Sequence, residues 1–208
     1  MNILNDLNWR YAVKKFSDKT IPERDIQTLK NAIRLTPSSY GLQPYRVMVI
    51  QSDQVKHDLL PYSYSQEKIA HCSHLFVFAA ETASVDNMVE RYINTHANAN
   101  SMATSMLSDM ADQMKAALSA MDDEQRLQWA HQQAFIALGN FLTCAASLKV
   151  DTCPMGGFET EGYDKVLGLK KLSLTTSVIC PAGYRHPDDH NAYRPKVRLD
   201  ISALFKDR

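Results

Sequence analysis

The chain has 208 residues, 45% of them hydrophobic, and 23 basic side chains balanced by 23 acidic ones. That is enough apolar material for one well-buried core, read as a single domain over 1–208, while the zero net charge excludes the broad basic field that gathers nucleic acid or anionic membrane. Its apolar stretches, such as Leu75 to Ala80, fall far short of the roughly 20 residues that cross a bilayer, and Met1 to Tyr11 has no signal-like apolar run, so a cytoplasmic protein is expected.

Ile3, Leu4, Leu7 and Tyr11 stand at helical spacing and predict an amphipathic helix that delivers Arg10 at or just past its end. Thr20 and Glu23 form a capping-box pattern with Pro22 in the first turn; Ile26, Leu29 and Ile33 make the apolar stripe, and Pro37 stops the helix. The segment from Pro37 to Pro44 is a proline-bounded loop rich in hydroxyl, amide and glycine positions, equipped to hydrogen-bond a ligand. Strands are predicted over 46–50 and 75–80, and short helices over 53–60 and 66–71.

From Asp86 to Val150 nothing resembles a strand. Met102, Met106, Met110 and Met114 recur every four residues, which on a helix gives a flexible, polarizable face, either core packing or an adaptable lid over a flat ligand. Asp123 opens a long helix with an apolar face from Leu127 to Leu148, and Gly139 is read as a point of close approach. Strands follow at 151–154 and 173–180, and a tail ends in Leu204-Phe205, an apolar pair expected to pack on a neighbour. Strands separated by helices give an α+β class, a three-layer α/β/α arrangement. Cys72, Cys144, Cys153 and Cys180 form no CxxC pair, and the His71/His74 and His186/His190 pairs lack a third ligand nearby, so no metal site is expected.

The chemistry-bearing residues lie mostly near the two ends. Arg10 and Lys14 share a side in either a helix or a strand, and Arg194, Lys196 and Arg198 alternate at period two, so an extended segment presents them as a comb of cations. Like charges on one face repel, which points to an anion between the clusters. Pro154-Met155-Gly156-Gly157 adds a double glycine after a strand, where backbone N–H groups can approach a planar or phosphorylated ligand.

Taken together, Arg10-Tyr11-Ala12-Val13-Lys14, the Pro37-Ser38-Ser39 to Gln43-Pro44 loop, Glu67-Lys68, Gly139-Asn140-Phe141-Leu142, the Gly156-Gly157 turn and Arg194 to Arg198 resemble the FMN-dependent nitroreductases, close to their oxygen-insensitive NAD(P)H branch. The resemblance spans nearly the whole chain. It implies a nitroreductase-like fold with a mixed central sheet flanked by helices, in an intertwined homodimer with tightly bound FMN at each of two shared sites. It further implies an NAD(P)H oxidoreductase reducing nitroaromatics, quinones or similar flat acceptors by ping-pong two-electron transfer, with NADH or NADPH as hydride donor and no catalytic side chain required. Reduction of a free flavin or pteridine, and flavin storage without catalysis, remain open beside it.

By the same resemblance Arg10, Lys196 and Arg198 hold the terminal phosphate, and Lys14 and Lys68 face the N1/O2 side of the ring. Ser38, Ser39, Gly41 and Gln43 come from the partner subunit, and Pro154, Met155, Gly156 and Gly157 line the ring's other side, with the Gly156 N–H toward N5. Tyr11, Ala12, Pro37 and Ser65 complete the expected set. Alanine at 12, serine at 65 and glycine at 156 depart from the serine, asparagine and glutamate common in that family, and the missing carboxylate at 156 implies a more permissive pocket.

Overall fold

A computed structural model describes residues 2–207. Its sheet has four strands, β1 (Tyr45–Ile50), β2 (His74–Glu81), β3 (Asp151–Thr152) and β4 (Leu174–Gly183), in the order β1-β2-β4-β3. The helices are α1 (Ile3–Trp9), α2 (Glu23–Arg34), α3 (Asp53–Leu59), α4 (Lys68–His71), α5 (Val85–Ala99), α6 (Ser108–Ser119), α7 (Asp123–Ser147), α8 (Thr160–Val166) and α9 (Ile201–Leu204).

Every residue of β2 is buried, so both faces of the sheet are covered. Alternation sorts the side chains by face. Phe76 and Phe78, with Val178 and Cys180, meet Ile26, Leu29 and Ile33 of α2 and Phe141 of α7; the Phe141 ring lies 4.5 Å from that of Phe76 and 5.8 Å from that of Phe78. Leu75, Val77 and Ile179 point the other way, toward Leu59 of α3, Ile69 of α4 and Tyr163 of α8. The result is the expected three-layer arrangement. The ladders between the four strands are antiparallel, from Tyr45 opposite Ala80 to Thr152 opposite Ala182; the sheet is mixed through the parallel bridge of Ala12 with Thr152.

Several local expectations give way to the structure. Pro22 occupies the N-cap of α2 without a side-chain hydrogen bond, so Thr20 and Glu23 form no capping box; the Ile21 N–H goes to Ser73 Oγ at 2.9 Å. The box belongs instead to α7, where Asp122 and Gln125 exchange bonds of 2.8 and 3.0 Å. β3 stops after two residues because Cys153 N–H donates to the Pro181 carbonyl but Pro181 has no N–H to return the bond; pairing resumes as a bridge between Met155 and Ile179. The four methionines do not share one helix: Met102 and Met106 precede α6, whereas Met110 and Met114 lie on it. Met102, Met110 and Met114 join a satellite core of Leu42, Val89, Ile93 and Leu118, and only Met106 of the stripe is exposed. Gly139 faces open space in the single chain. On α1 the apolar residues Ile3, Leu4 and Leu7 face outward, while Asp6 turns inward to an ion pair of 2.6 Å with Lys149.

Candidate functional site

After α1 the chain runs extended, and its backbone is secured on two sides. Val13 N–H donates to Thr152 O, Ser17 N–H to Tyr184 O and His186 N–H to Lys15 O. Side chains reinforce the join. Asp151, buried, accepts from the Arg185 guanidinium and backbone at 2.6 to 3.1 Å, and that guanidinium stacks on Trp9 at 4.3 Å and Tyr11 at 4.6 Å. Such geometry combines a buried bidentate ion pair with cation–π contact.

Asp189 carries the second join. Its Oδ2 accepts from the Tyr11 hydroxyl at 3.0 Å and from the Lys14 and Lys15 N–H groups at 2.7 and 3.2 Å. Its Oδ1 accepts from the Asn191 backbone and side chain at 3.1 and 2.9 Å. Burial alone raises the Asp189 pKa, but these donors outweigh it and hold the carboxyl down at about 2. Burial and the bond to Asp189 together push the Tyr11 hydroxyl upward. Tyr11 is therefore engaged with Asp189 rather than free toward a ligand.

The join brings the two ends together in one chain. The Lys196 ammonium donates to the Arg10 carbonyl, and the Lys196 pKa is lowered by burial and by the nearby Arg10 and Arg198 guanidinium groups. Arg10 Nε is buried without a hydrogen-bond partner, which leaves a donor in need of an acceptor. Among the described residues the Arg198 guanidinium donates only to its neighbouring Val197 carbonyl, at 2.6 Å.

A second group of expected residues adjoins the first through a shared core. Val13, Ile69 and Met155 pack in one apolar cluster, and each has a site residue beside it in sequence: Lys14, Lys68 and Gly156. Ala12 and Pro154 flank the same strand end, half-buried. Lys68 is only 8% exposed and has no hydrogen bond or ion pair among the described residues. A Cβ on Gly156 would meet nothing within 4 Å, and one on Gly157 only Tyr64 at 4.0 Å. Ser65 lies in the adjoining turn, left-handed at φ 52, where Gln66 Nε2 reaches the Gly157 carbonyl at 3.4 Å.

The loop from Pro37 to Gln43 stands apart. Its hydrogen bonds go to its own chain: Ser39 N–H to Gln133 Oε1 at 2.9 Å, Gln43 N–H to Ser38 Oγ at 2.9 Å and Gln43 Nε2 to the Arg34 carbonyl at 2.8 Å. Gly41 has φ +71 and Tyr92 would lie 2.8 Å from any Cβ there, so both conformation and space require glycine. None of these bonds reaches Arg10, Lys196 or Arg198.

Among the described residues some cations are paired with carboxylates and others, including exposed Lys19, Lys30, Arg34 and Lys165 away from the site, are not. Arg91, Arg126, Lys149, Arg185 and Lys56 each sit within ion-pair distance of a carboxylate. Arg10, Lys14, Lys68, Arg194, Lys196 and Arg198 have none within 4.0 Å among the described residues. The polar recess around Asp53, Lys56, His57 and His71 is different in kind, because Lys56 is already bonded to Asp53 at 2.9 Å and to the Cys72 carbonyl at 2.7 Å. No group of three or more potential metal ligands occurs among the described residues. No helix described is long and apolar enough to cross a membrane.

The three-layer α+β fold recurs in solved structures. A protein of Exiguobacterium sibiricum solved in complex with FMN superposes with a TM-score of 0.86 at 17% identity, covering 100% of this chain and 98% of that one. A nitroreductase family protein of Streptococcus pneumoniae gives 0.84 at 18% identity over the full length of both.

Residues 7–184 match the profile of the nitroreductase family, and the chain belongs to that family. It is 28% identical to the oxygen-insensitive NAD(P)H nitroreductase of Salmonella typhimurium over 99% of both chains. It is 31% identical to YfkO of Bacillus subtilis over 98% of this chain and 96% of the other.

Proposed function

We propose that the chain is a single nitroreductase domain that works as a homodimer and uses FMN and NAD(P)H to reduce nitroaromatics, quinones or similar flat acceptors by two electrons per cycle. The observation that carries this reading is the meeting of cations from the two ends of the chain, Lys196 on the Arg10 carbonyl with Arg198 near it, none of them with a carboxylate partner among the described residues. A phosphate monoester bears about −1.5 to −2 charges near neutral pH, and Arg10, Lys196 and Arg198 would hold it by charge-assisted bonds, one of them taking up the orphaned Arg10 Nε–H.

FMN, when bound, supplies a carrier that takes hydride from a nicotinamide and passes it to the acceptor. Lys68, buried and unpartnered, and Lys14 would place positive charge beside the ring, where negative charge grows on reduction. Gly156 and Gly157 would let the backbone of the Pro154–Gly157 turn lie flat along the ring with no side chain between. Ser38, Ser39, Gly41 and Gln43, which make no hydrogen bond to their own chain's cation cluster among the described residues, would serve the site of the other subunit. Two features support a homodimer. Ile3, Leu4, Leu7, Leu35, Phe135 and Ile136 are exposed large apolar side chains, and the tail leaves Val197 82% and Phe205 64% exposed.

Purified protein should be yellow, with a mass in solution twice the 23.5 kDa of the chain. Stopped-flow mixing with NADH or NADPH should bleach the flavin, and a nitroaromatic or quinone should restore it. A colourless protein that takes up no FMN refutes the reading, and a flavin that stays oxidised with both nucleotides reduces it to flavin storage.

A further inference from the structure

The hydrogen bonds joining residues 10–14 to residues 189–198 are few among the described residues: those of Asp189 to Tyr11 and Lys14, and that of Lys196 to the Arg10 carbonyl. Beyond Tyr193 the chain has no regular structure until Ile201, so its direction depends on where it is anchored. We propose that Asp189 is a positioning residue for the phosphate end of the cofactor site. It ties the N-terminal segment to the chain 174 to 178 positions later and so sets Arg10, Lys196 and Arg198 around one point before a ligand arrives. The inference rests on the FMN reading above and concerns only its phosphate end.

The carboxylate suits this task better than any neutral group. It is 2% exposed and accepts five hydrogen bonds, three at Oδ2 and two at Oδ1. An ionised carboxyl is acceptor-only with about four lone-pair directions, whereas an amide would turn N–H against N–H at one end in either orientation. At Oδ2 it would oppose Tyr11, Lys14 and Lys15; at Oδ1 it would oppose Asn191. Placing a negative charge here also offsets part of the repulsion among the cations it gathers.

Asp189→Asn keeps the size of the side chain and removes that grip. FMN affinity, measured by quenching of flavin fluorescence, should fall about tenfold, equivalent to ~1.4 kcal/mol. Riboflavin, which has no phosphate, should lose clearly less than FMN, its loss confined to what the release of the Lys14 backbone costs at the ring. Asp189→Asn combined with Lys196→Ala should cost less than the sum of the two single losses, because both act on one phosphate. Equal losses for FMN and riboflavin, an unchanged FMN affinity, or full additivity overturns the inference. If Asp189→Asn does not fold by near-ultraviolet circular dichroism, Asn191→Ala removes one donor and keeps the carboxylate; it should weaken FMN less but still spare riboflavin, and equal effects on the two again overturn the inference. Wild-type protein that binds neither flavin overturns the functional reading itself and takes the inference with it.

Discussion

Lys68 offers a test in which stability and function should move in opposite directions. It stands next in sequence to Ile69 of the apolar cluster, is 8% exposed, and finds no acceptor among the described residues. A buried polar group without a partner costs roughly 1–3 kcal/mol on the scale of protein mutational data. Lys68→Met keeps most of the apolar stem and deletes the charge; because the ammonium is not among the fully enclosed unpartnered atoms, only part of that cost applies, and the apoprotein should become more stable by up to about 1 kcal/mol, read as a higher urea midpoint with an unchanged slope. The same change removes a cation from the ring. A hydrogen bond to a charged group is worth about 1.5–3 kcal/mol; if that falls on the reduced flavin, the two-electron potential should drop by about 30–60 mV, at 30 mV per ~1.4 kcal/mol. Urea titration of the apoprotein and redox titration of the reconstituted protein measure the two effects separately. A destabilised apoprotein would make Lys68 a structural residue, and an unmoved potential would remove it from the ring.

Other positions sort by the same reasoning. Asp151→Asn breaks a buried pair with Arg185 and should lower stability by about 3 kcal/mol, visible as an earlier urea midpoint. Gly162→Ala should destabilise by about 1–3 kcal/mol by overpacking, because its Cβ would fall 2.1 Å from the Tyr62 ring. Gly156→Glu, whose Cβ meets open space, should leave the thermal midpoint almost unmoved and lower the flavin potential; a raised potential would contradict the electrostatic account. Asp189 has a folded-state pKa of about 2, below the ordinary aspartate value. Its stabilisation is therefore fully present above about pH 4 and is lost as the pH falls toward 2. The stability gap between wild type and Asp189→Asn should narrow across that window, and a constant gap would refute the assignment.

Much of the layered core was legible because it is written in periodicity. Leu75 to Ala80 reads as a buried strand and lies within β2, and Ile26, Leu29 and Ile33 form the buried stripe of α2. Local capping was harder, since Thr20-x-x-Glu23 has the right letters but the helix begins only at Glu23, with Pro22 at its N-cap. The methionine spacing misled for a related reason: a fixed interval implies one face only if one helix carries it, and a turn separates Met102 and Met106 from α6. The cations were visible as a pattern, whereas the residues that assemble them were not. Asp189 and Asp151 read as ordinary acids because their partners are distant in sequence, Tyr11 and Lys14 for one and Arg185 for the other.

The distinction between those two kinds of residue explains how a site of like charges can exist in the folded chain. Mutual repulsion would spread Arg10, Lys196 and Arg198 apart if they were free; the Lys196 pKa, lowered first by burial, is lowered further by the two guanidinium groups. What holds them is a framework of acids engaged with backbone and aromatic neighbours: Asp6 with Lys149 beneath α1, Asp151 with Arg185 against Trp9, and Asp189 with the Lys14 and Lys15 amides. Each acid is spent on position, leaving the cations without carboxylates of their own. An anion arriving there gains the full charge-assisted interaction without first breaking an ion pair, and much of the ordering cost has been met by folding. On the proposed reading, the N-terminal segment and the comb would act as one preorganised surface rather than as two flexible ends that a ligand must gather.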